Sequence, residues 1–148
     1  MEPIDKIVIY KGRHRLEAWA GARVVKAYRV AIGRGGAGPK RYEGDNKTPE
    51  GSYRVSRRFV SASFHRFLHL SYPNAEDRRA FARGQRDGSI PRGARIGGAI
   101  GIHGEKRGLR VLPHKWVDWT QGCIAVDNPE IEELYRAVKP MAVVEIRP

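Results

Sequence analysis

The chain has a single cysteine, Cys123, among its 148 residues. That count excludes an internal disulfide and any site built from several thiols. No apolar run approaches the roughly 20 residues that a membrane-spanning helix requires. The first ten residues, MEPIDKIVIY, lack the basic and apolar regions of a signal peptide and read as a strand. There is no internal repeat and no low-complexity stretch. Acids are scarce as well: 16 Asp and Glu stand against 28 Lys and Arg, for a formal charge of +12. Such a surplus favours an anionic partner, whether nucleic acid, membrane surface or acidic wall polymer, and carries no information on fold. The basic residues are dispersed and no nucleic-acid reader motif accompanies them. A basic nucleic-acid-binding domain is therefore a distant alternative.

What is present is the material of one ordinary domain, 41% hydrophobic and 30% charged, spanning residues 1–148. Lys6 to Tyr10, Arg15 to Ala20 and Val24 to Ile32 read as an antiparallel three-stranded opening, with Gly21-Ala22 as a turn. Gly33 to Lys47 reads as a glycine-rich, charged, mobile loop. Tyr53 to Val60, Phe67 to Tyr72, Ala99 to His103, Cys123 to Val126 and Ala142 to Ile146 read as further strands. Asn74 to Gly84 is predicted helical. So is the stretch after Asn128, with Asn128 as N-cap, Pro129 at the first turn, and Ile131, Leu134, Tyr135 and Val138 on one apolar face. Pro140 is expected to stop that helix. The sum is a mainly β domain with two short helices.

Three patterns suggest chemistry that their surroundings do not support. Gly33 to Gly38 satisfies G-x-G-x-x-G, but no helix follows to receive a pyrophosphate. His65 and His69 lie four apart, but in a strand and without the Glu of a metalloprotease helix. His103, His114 and Cys123 contain zinc-ligand chemistry at spacings that match no zinc motif. The stronger constellation surrounds the lone thiol. Gly122 directly before Cys123 allows a tight backbone whose N–H groups converge, as an oxyanion hole requires. Thr120 and Gln121 give it a polar approach. His103 ends an apolar strand and is followed by Gly104. A histidine at one strand end, within reach of a thiol at the start of another, is the pairing that generates a thiolate nucleophile.

Ile102-His103-Gly104, followed by Thr120-Gln121-Gly122-Cys123-Ile124, resembles the L,D-transpeptidase catalytic domain family (YkuD domain). Lys47 to Val55 is similar to that family's Thr-Pro-x-Gly-x-Tyr/Phe segment, and Phe64 to Asn74 and Asp127 to Tyr135 resemble its compact, standalone periplasmic members. The resemblance implies a β-sandwich with two short helices, one of them C-terminal after the catalytic Cys. It implies Cys123 as nucleophile, His103 as base, the Gly104 carbonyl orienting the imidazole, and the Gly122 and Cys123 N–H groups as oxyanion donors. Thr120 and Gln121 would face the substrate. The implied reaction is attack on a peptidoglycan tetrapeptide stem, release of D-alanine from a Cys thioester, and transfer to an amine to form a 3–3 cross-link. Hydrolytic relatives, whether L,D-carboxypeptidase, endopeptidase, amidase or a wall-attacking toxin, use the same Cys-His site. No metal or other cofactor, no nucleic acid and no membrane span is expected. A monomer in the periplasm or outside the cell is expected, with peptidoglycan stem peptides as partner. Arg95, Lys106, Arg107 and Lys115 are candidate partners for substrate carboxylates, and Trp116 and Trp119 are candidate cleft walls. Two positions depart from the family: Gln121, where many members have His, and Ala125, where many have Arg or Asn. Both departures bear on acceptor choice.

Overall fold

The computed structural model describes residues 1–108 and 114–148. Strands β1 (Ile4–Tyr10), β2 (Arg15–Ala20) and β3 (Arg23–Arg29) form the expected antiparallel opening. Consecutive buried residues Ile7, Val8 and Ile9 mark β1 as a strand covered on both faces. Strands β4 (Gly51–Ser61) and β5 (His65–Leu70) form a hairpin. Helix α1 (Ala75–Asp87), β6 (Gly101–His103), β7 (Ile124–Ala125), α2 (Asn128–Ala137) and β8 (Val138–Arg147) complete the described elements.

Among the described residues, all eight strands belong to one sheet in the order β3-β2-β1-β8-β4-β5-β6-β7. β8 inserts parallel to β1 and antiparallel to β4. The long β4 carries the sheet around its curl: Gly51 to Arg54 pair with β8, and Val55 to Ser61 pair with β5. Beyond β3, Ala31 bridges Ala125 and Gly33 bridges Thr120, which ties the first edge back to the last. The fold is mainly β with two helices, as expected. The two layers of the expected sandwich are halves of this one curled sheet. Ile7, Leu16, Leu68, Ile102, Ile124 and Val144 contribute to a single core from both halves, and α2 adds Ile131 and Leu134.

Both helices differ from expectation at their ends. α1 is capped by Asn74, whose side chain accepts from the Asp77 N–H at 2.9 Å while Asp77 accepts from the Asn74 N–H at 3.0 Å. It continues past Gly84 to a left-handed stop at Gly88. α2 is capped by Asp127 rather than Asn128, with Glu130 accepting the Asp127 N–H at 3.0 Å. Pro140 does not stop α2. The helix ends where Val138 turns extended and enters the core, and Pro140 lies within β8. The β1–β8 register shifts between Ile4 and Lys6, opposite Pro140 and Met141. Met141 has φ 62°, and this bulge accommodates a residue with no N–H to donate.

Candidate active site

Strand pairing brings His103 and Cys123 to the same place. β6 lies between β5 and β7, and His103 pairs with Ala125, two residues beyond Cys123. Its carbonyl also accepts the Val126 N–H at 3.0 Å. The buried imidazole stacks on Phe64 at 4.1 Å, with Phe67 and Trp119 each 5.7 Å away. Nδ1 lies 2.7 Å from the Gly104 carbonyl oxygen. A carbonyl only accepts, so Nδ1 carries the proton and Nε2 is the basic nitrogen. Gly104 is itself fixed, because its N–H donates to the Phe64 carbonyl at 2.9 Å. A Cβ at Gly104 would stand 2.5 Å from Asn128 Oδ1 and 3.0 Å from Ile131 Cγ2. Asn128 accepts the Glu105 N–H at 2.8 Å, and Glu105 accepts the Asn128 N–H at 2.9 Å. The start of α2 thus clamps the segment that aims the imidazole.

Cys123 sits between two tight features. Its Sγ lies 3.4 Å from the Ala99 carbonyl oxygen. Burial pushes the thiol up to about 11, against the downward pull of a Gly101 backbone hydrogen bond and the Lys40 charge. These surroundings favour the neutral thiol over the thiolate. Gly122 has φ +137°, and a Cβ there would meet the Lys47 carbonyl at 2.7 Å, so only glycine fits. The buried Thr120 hydroxyl accepts the Gly122 N–H at 3.1 Å and donates to the Cys123 carbonyl at 2.7 Å. The Gly122 N–H, one of the two expected oxyanion donors, thus has an acceptor in Thr120 in the resting site.

Cys123, His103, Thr120 and the exposed Gln121 line one cavity of about 780 Å³. Phe59, Phe64, Phe67 and Trp119 give it an aromatic side, and Arg34, Lys40, Arg57 and Lys106 give it a cationic one. Of the cations proposed from sequence, only Lys106 lines it. Lys115 is held by Asp127 at 2.9 Å and Glu130 at 3.0 Å, which raise its pKa over the lowering effect of burial. Arg95 pairs with Glu43 at 3.2 Å, and Arg107 borders a smaller neighbouring cavity. Trp119 walls the site, whereas Trp116 is 61% exposed and lies under the Arg29 guanidinium at 3.9 Å.

Sequence reading missed Lys40 altogether. The loop read as mobile is a pinned wall. Asp45 accepts the Arg41 N–H at 2.7 Å, the Lys47 N–H at 3.0 Å and Lys40 Nζ at 2.9 Å. The buried Lys11 ammonium donates to the Gly38 and Thr48 carbonyls at 2.8 and 2.6 Å and to Glu50 at 3.0 Å. The available signals were Asp45 two residues before Lys47, an Asx-turn spacing, and the φ-fixing Pro39 and Pro49.

Of the other histidines, His69 lines the same cavity as Cys123, whereas His65 borders the smaller one. His69 Nδ1 meets the Ser56 hydroxyl at 2.8 Å and His65 pairs with Glu132 at 2.8 Å. The side chain of His114, part of the zinc pattern, lies outside the described residues. Among the described residues no three His, Cys, Asp or Glu converge as a metal site.

Comparison with known proteins follows the same lines. The family model described as the L,D-transpeptidase catalytic domain matches residues 4–146. YafK of Escherichia coli K12 is 28% identical over 118 residues, which cover 78% of this chain and 38% of YafK. The helical cell shape determining protein Pgp2 of Campylobacter jejuni superposes with a TM-score of 0.71 at 25% identity, over 98% of this chain and 48% of Pgp2. The fold is also that of an Enterococcus faecium L,D-transpeptidase, with a TM-score of 0.62 at 12% identity over 98% of this chain and 50% of that one. The chain thus spans half or less of the length of each of these relatives.

Proposed function

The chain belongs to the L,D-transpeptidase catalytic domain family, and on that footing we propose that it is a cysteine acyltransferase of peptidoglycan stem peptides, with Cys123 as nucleophile and His103 as base. The observation that carries this reading is the imidazole held by its Nδ1–H on the Gly104 carbonyl at 2.7 Å, on the strand beside the thiol and in the same cavity. Gly104 acts here through its backbone. Thr120 and Gly122 shape the turn that presents the sulfur, and Gln121 faces the incoming peptide.

The proposed steps are these. His103 Nε2 takes the thiol proton as Sγ attacks the carbonyl carbon at the L-centre of the stem's diamino acid. The C=O electron pair moves onto oxygen. Collapse of the tetrahedral adduct breaks the C–N bond, and the imidazolium returns its proton to the departing D-alanine amine. The thioester then passes to an amine of a second stem, closing a 3–3 cross-link. The aromatic side suits the aliphatic stem of a diamino acid, and the cationic side suits its carboxylates. Such a substrate implies work outside the cytoplasm. Among the described residues no helix is long and apolar enough to cross a membrane.

Intact-protein mass spectrometry after exposure to a carbapenem, whose strained amide acylates thiolates, tests the nucleophile. An adduct on the parent and none on Cys123→Ala is expected. Incubation with muropeptide tetrapeptide then reads the acceptor: cross-linked dimer supports transfer, and tripeptide alone assigns the site to hydrolysis. Activity retained by Cys123→Ala would overturn the mechanism.

A further inference from the structure

Of the two N–H groups expected to meet an oxyanion at Cys123, those of Gly122 and Cys123, the first already has an acceptor. The Gly122 N–H is bonded to the Thr120 hydroxyl at 3.1 Å. A cation also stands beside Gly122. Lys40 Nζ is 3.5 Å from the position a Gly122 Cβ would occupy, and Lys40 lines the cavity together with Cys123. The Lys40 side chain is 4% exposed and that of Asp45 is 7% exposed, so this ion pair is built into the wall rather than spread over a surface. Asp45 does not depend on Lys40 for satisfaction, since it also accepts the Arg41, Tyr42 and Lys47 N–H groups at 2.7, 3.3 and 3.0 Å. Of the three donors of the ammonium, one is directed to Asp45 at 2.9 Å. The Lys40 charge also acts on the thiol, drawing it downward against burial.

We propose that Lys40 is a catalytic residue whose ammonium donates to the oxyanion formed when Cys123 attacks an acyl group. The proposal rests on the reading of Cys123 as an acyl-accepting nucleophile. As the Sγ–C bond forms, the carbonyl π pair becomes a negative oxygen beside Gly122. Lys40 meets that charge without a proton transfer, and the pair returns to the C=O bond when the leaving group departs. Fixed donors aimed at developing charge in a water-poor site are worth far more than in solvent, and loss of one such donor typically lowers the rate about 10²- to 10³-fold. Asp45 holds the ammonium in place, so that no side-chain search is needed at the moment of reaction.

The test compares two reagents on the full chain. p-Nitrophenyl acetate acylates Cys123 through an oxyanion and carries no carboxylate. Iodoacetamide alkylates the same sulfur by displacement and forms no oxyanion. A change in thiolate fraction scales both rates alike, so the ratio of acylation to alkylation isolates the oxyanion. Lys40→Gln keeps a donor toward Asp45 and removes the charge; its ratio is expected to fall about 10²-fold or more. Asp45→Asn keeps the Lys40 charge but loosens its hold, and is expected to lower the ratio by less than Lys40→Gln does. If Lys40→Gln does not fold, the double variant Lys40→Met/Asp45→Asn removes the pair without leaving a buried charge unpaired, and the same fall is expected. An unchanged ratio in the folded variant overturns the proposal. So does a defect seen only with muropeptides that carry a free carboxylate, which would make Lys40 a substrate anchor. A parent that neither reagent modifies at Cys123 overturns the nucleophile assignment, and this proposal falls with it. A parent that is acylated no faster than Lys40→Gln overturns this proposal alone.

Discussion

At the scale of single residues, the site keeps its thiol protonated and its imidazole fixed, and each choice has a measurable signature. Burial raises the Cys123 thiol to about 11 from an ordinary value near 8.5–9. Between those values the unfolded chain loses the thiol proton while the folded chain keeps it. The thiol's contribution to stability is therefore complete below about pH 8 and is lost as pH rises through about 11. Other groups titrate in this window, so the comparison is with Cys123→Ala. The stability difference between parent and variant, from urea unfolding, should move against the parent by about 2 kcal/mol from pH 8 to pH 11, after allowance for the residue's part-open face. A flat difference would mean that the thiol is not held neutral. Gly104 makes the second case. A methyl group there would be forced against Asn128 Oδ1, Ile131 and the Phe64 carbonyl. Gly104→Ala should cost about 1–3 kcal/mol, and acylation of Cys123 should fall as the His103 acceptor shifts. Wild-type acylation in this variant would show that the Gly104 carbonyl does not orient the base.

At the scale of elements, the wall that carries Lys40 depends on a residue far away in sequence. Lys11 follows β1 in a short turn of 3-10 helix and fastens Gly38, Thr48 and Glu50 with one buried ammonium. Desolvation lowers its pKa against the raising effect of Glu50. Lys11→Met strands the Glu50 carboxylate and two carbonyls, and urea unfolding should show a loss of about 2–4 kcal/mol. If Lys11→Met is as stable as the parent, the loop holds itself without this clasp. The same contacts explain what was legible in the sequence. Strands β1, β2 and β3 and the helical face of Ile131 and Leu134 follow from local periodicity, which one stretch of chain contains in full. His103 and Cys123 were legible because glycine flanks each of them and strand ends locate them. Lys40 was not. Its partner Asp45 is near, but the clasp that makes the loop rigid is 27 to 39 residues distant, and glycine content alone reads as motion. The Pro140 misreading has the same origin. The bulge that tolerates it exists only because β8 pairs with β1 from the other end of the chain.

At the scale of the whole molecule, the curl of the sheet turns a dispersed charge into a directed one. The formal charge of +12 is spread along the sequence, but among the described residues four of its carriers, Arg34, Lys40, Arg57 and Lys106, line the cavity, against Glu43 as the one acid. Glu43 is turned to Arg95 at 3.2 Å. An acidic peptide approaching this opening meets an attractive field over a distance set by the Debye length, about 30 Å at 10 mM salt and about 10 Å at 100 mM. Exposed cations are the ones that salt screens. Lys40 and Asp45 are buried together, and their interaction with the reacting atoms is short-ranged and poorly screened. The two roles of positive charge should therefore separate kinetically. Raising sodium chloride from about 10 to about 300 mM should increase KM for a muropeptide donor several-fold through weaker attraction at the exposed cations, while kcat stays within about twofold. Amidation of the donor's free carboxylates should remove most of the salt dependence of KM. A kcat that falls with salt in parallel with KM would place the chemically important charge on the surface, against a buried Lys40. An equal salt slope for acidic and amidated donors would show that the cationic side of the cavity does not select the substrate by charge.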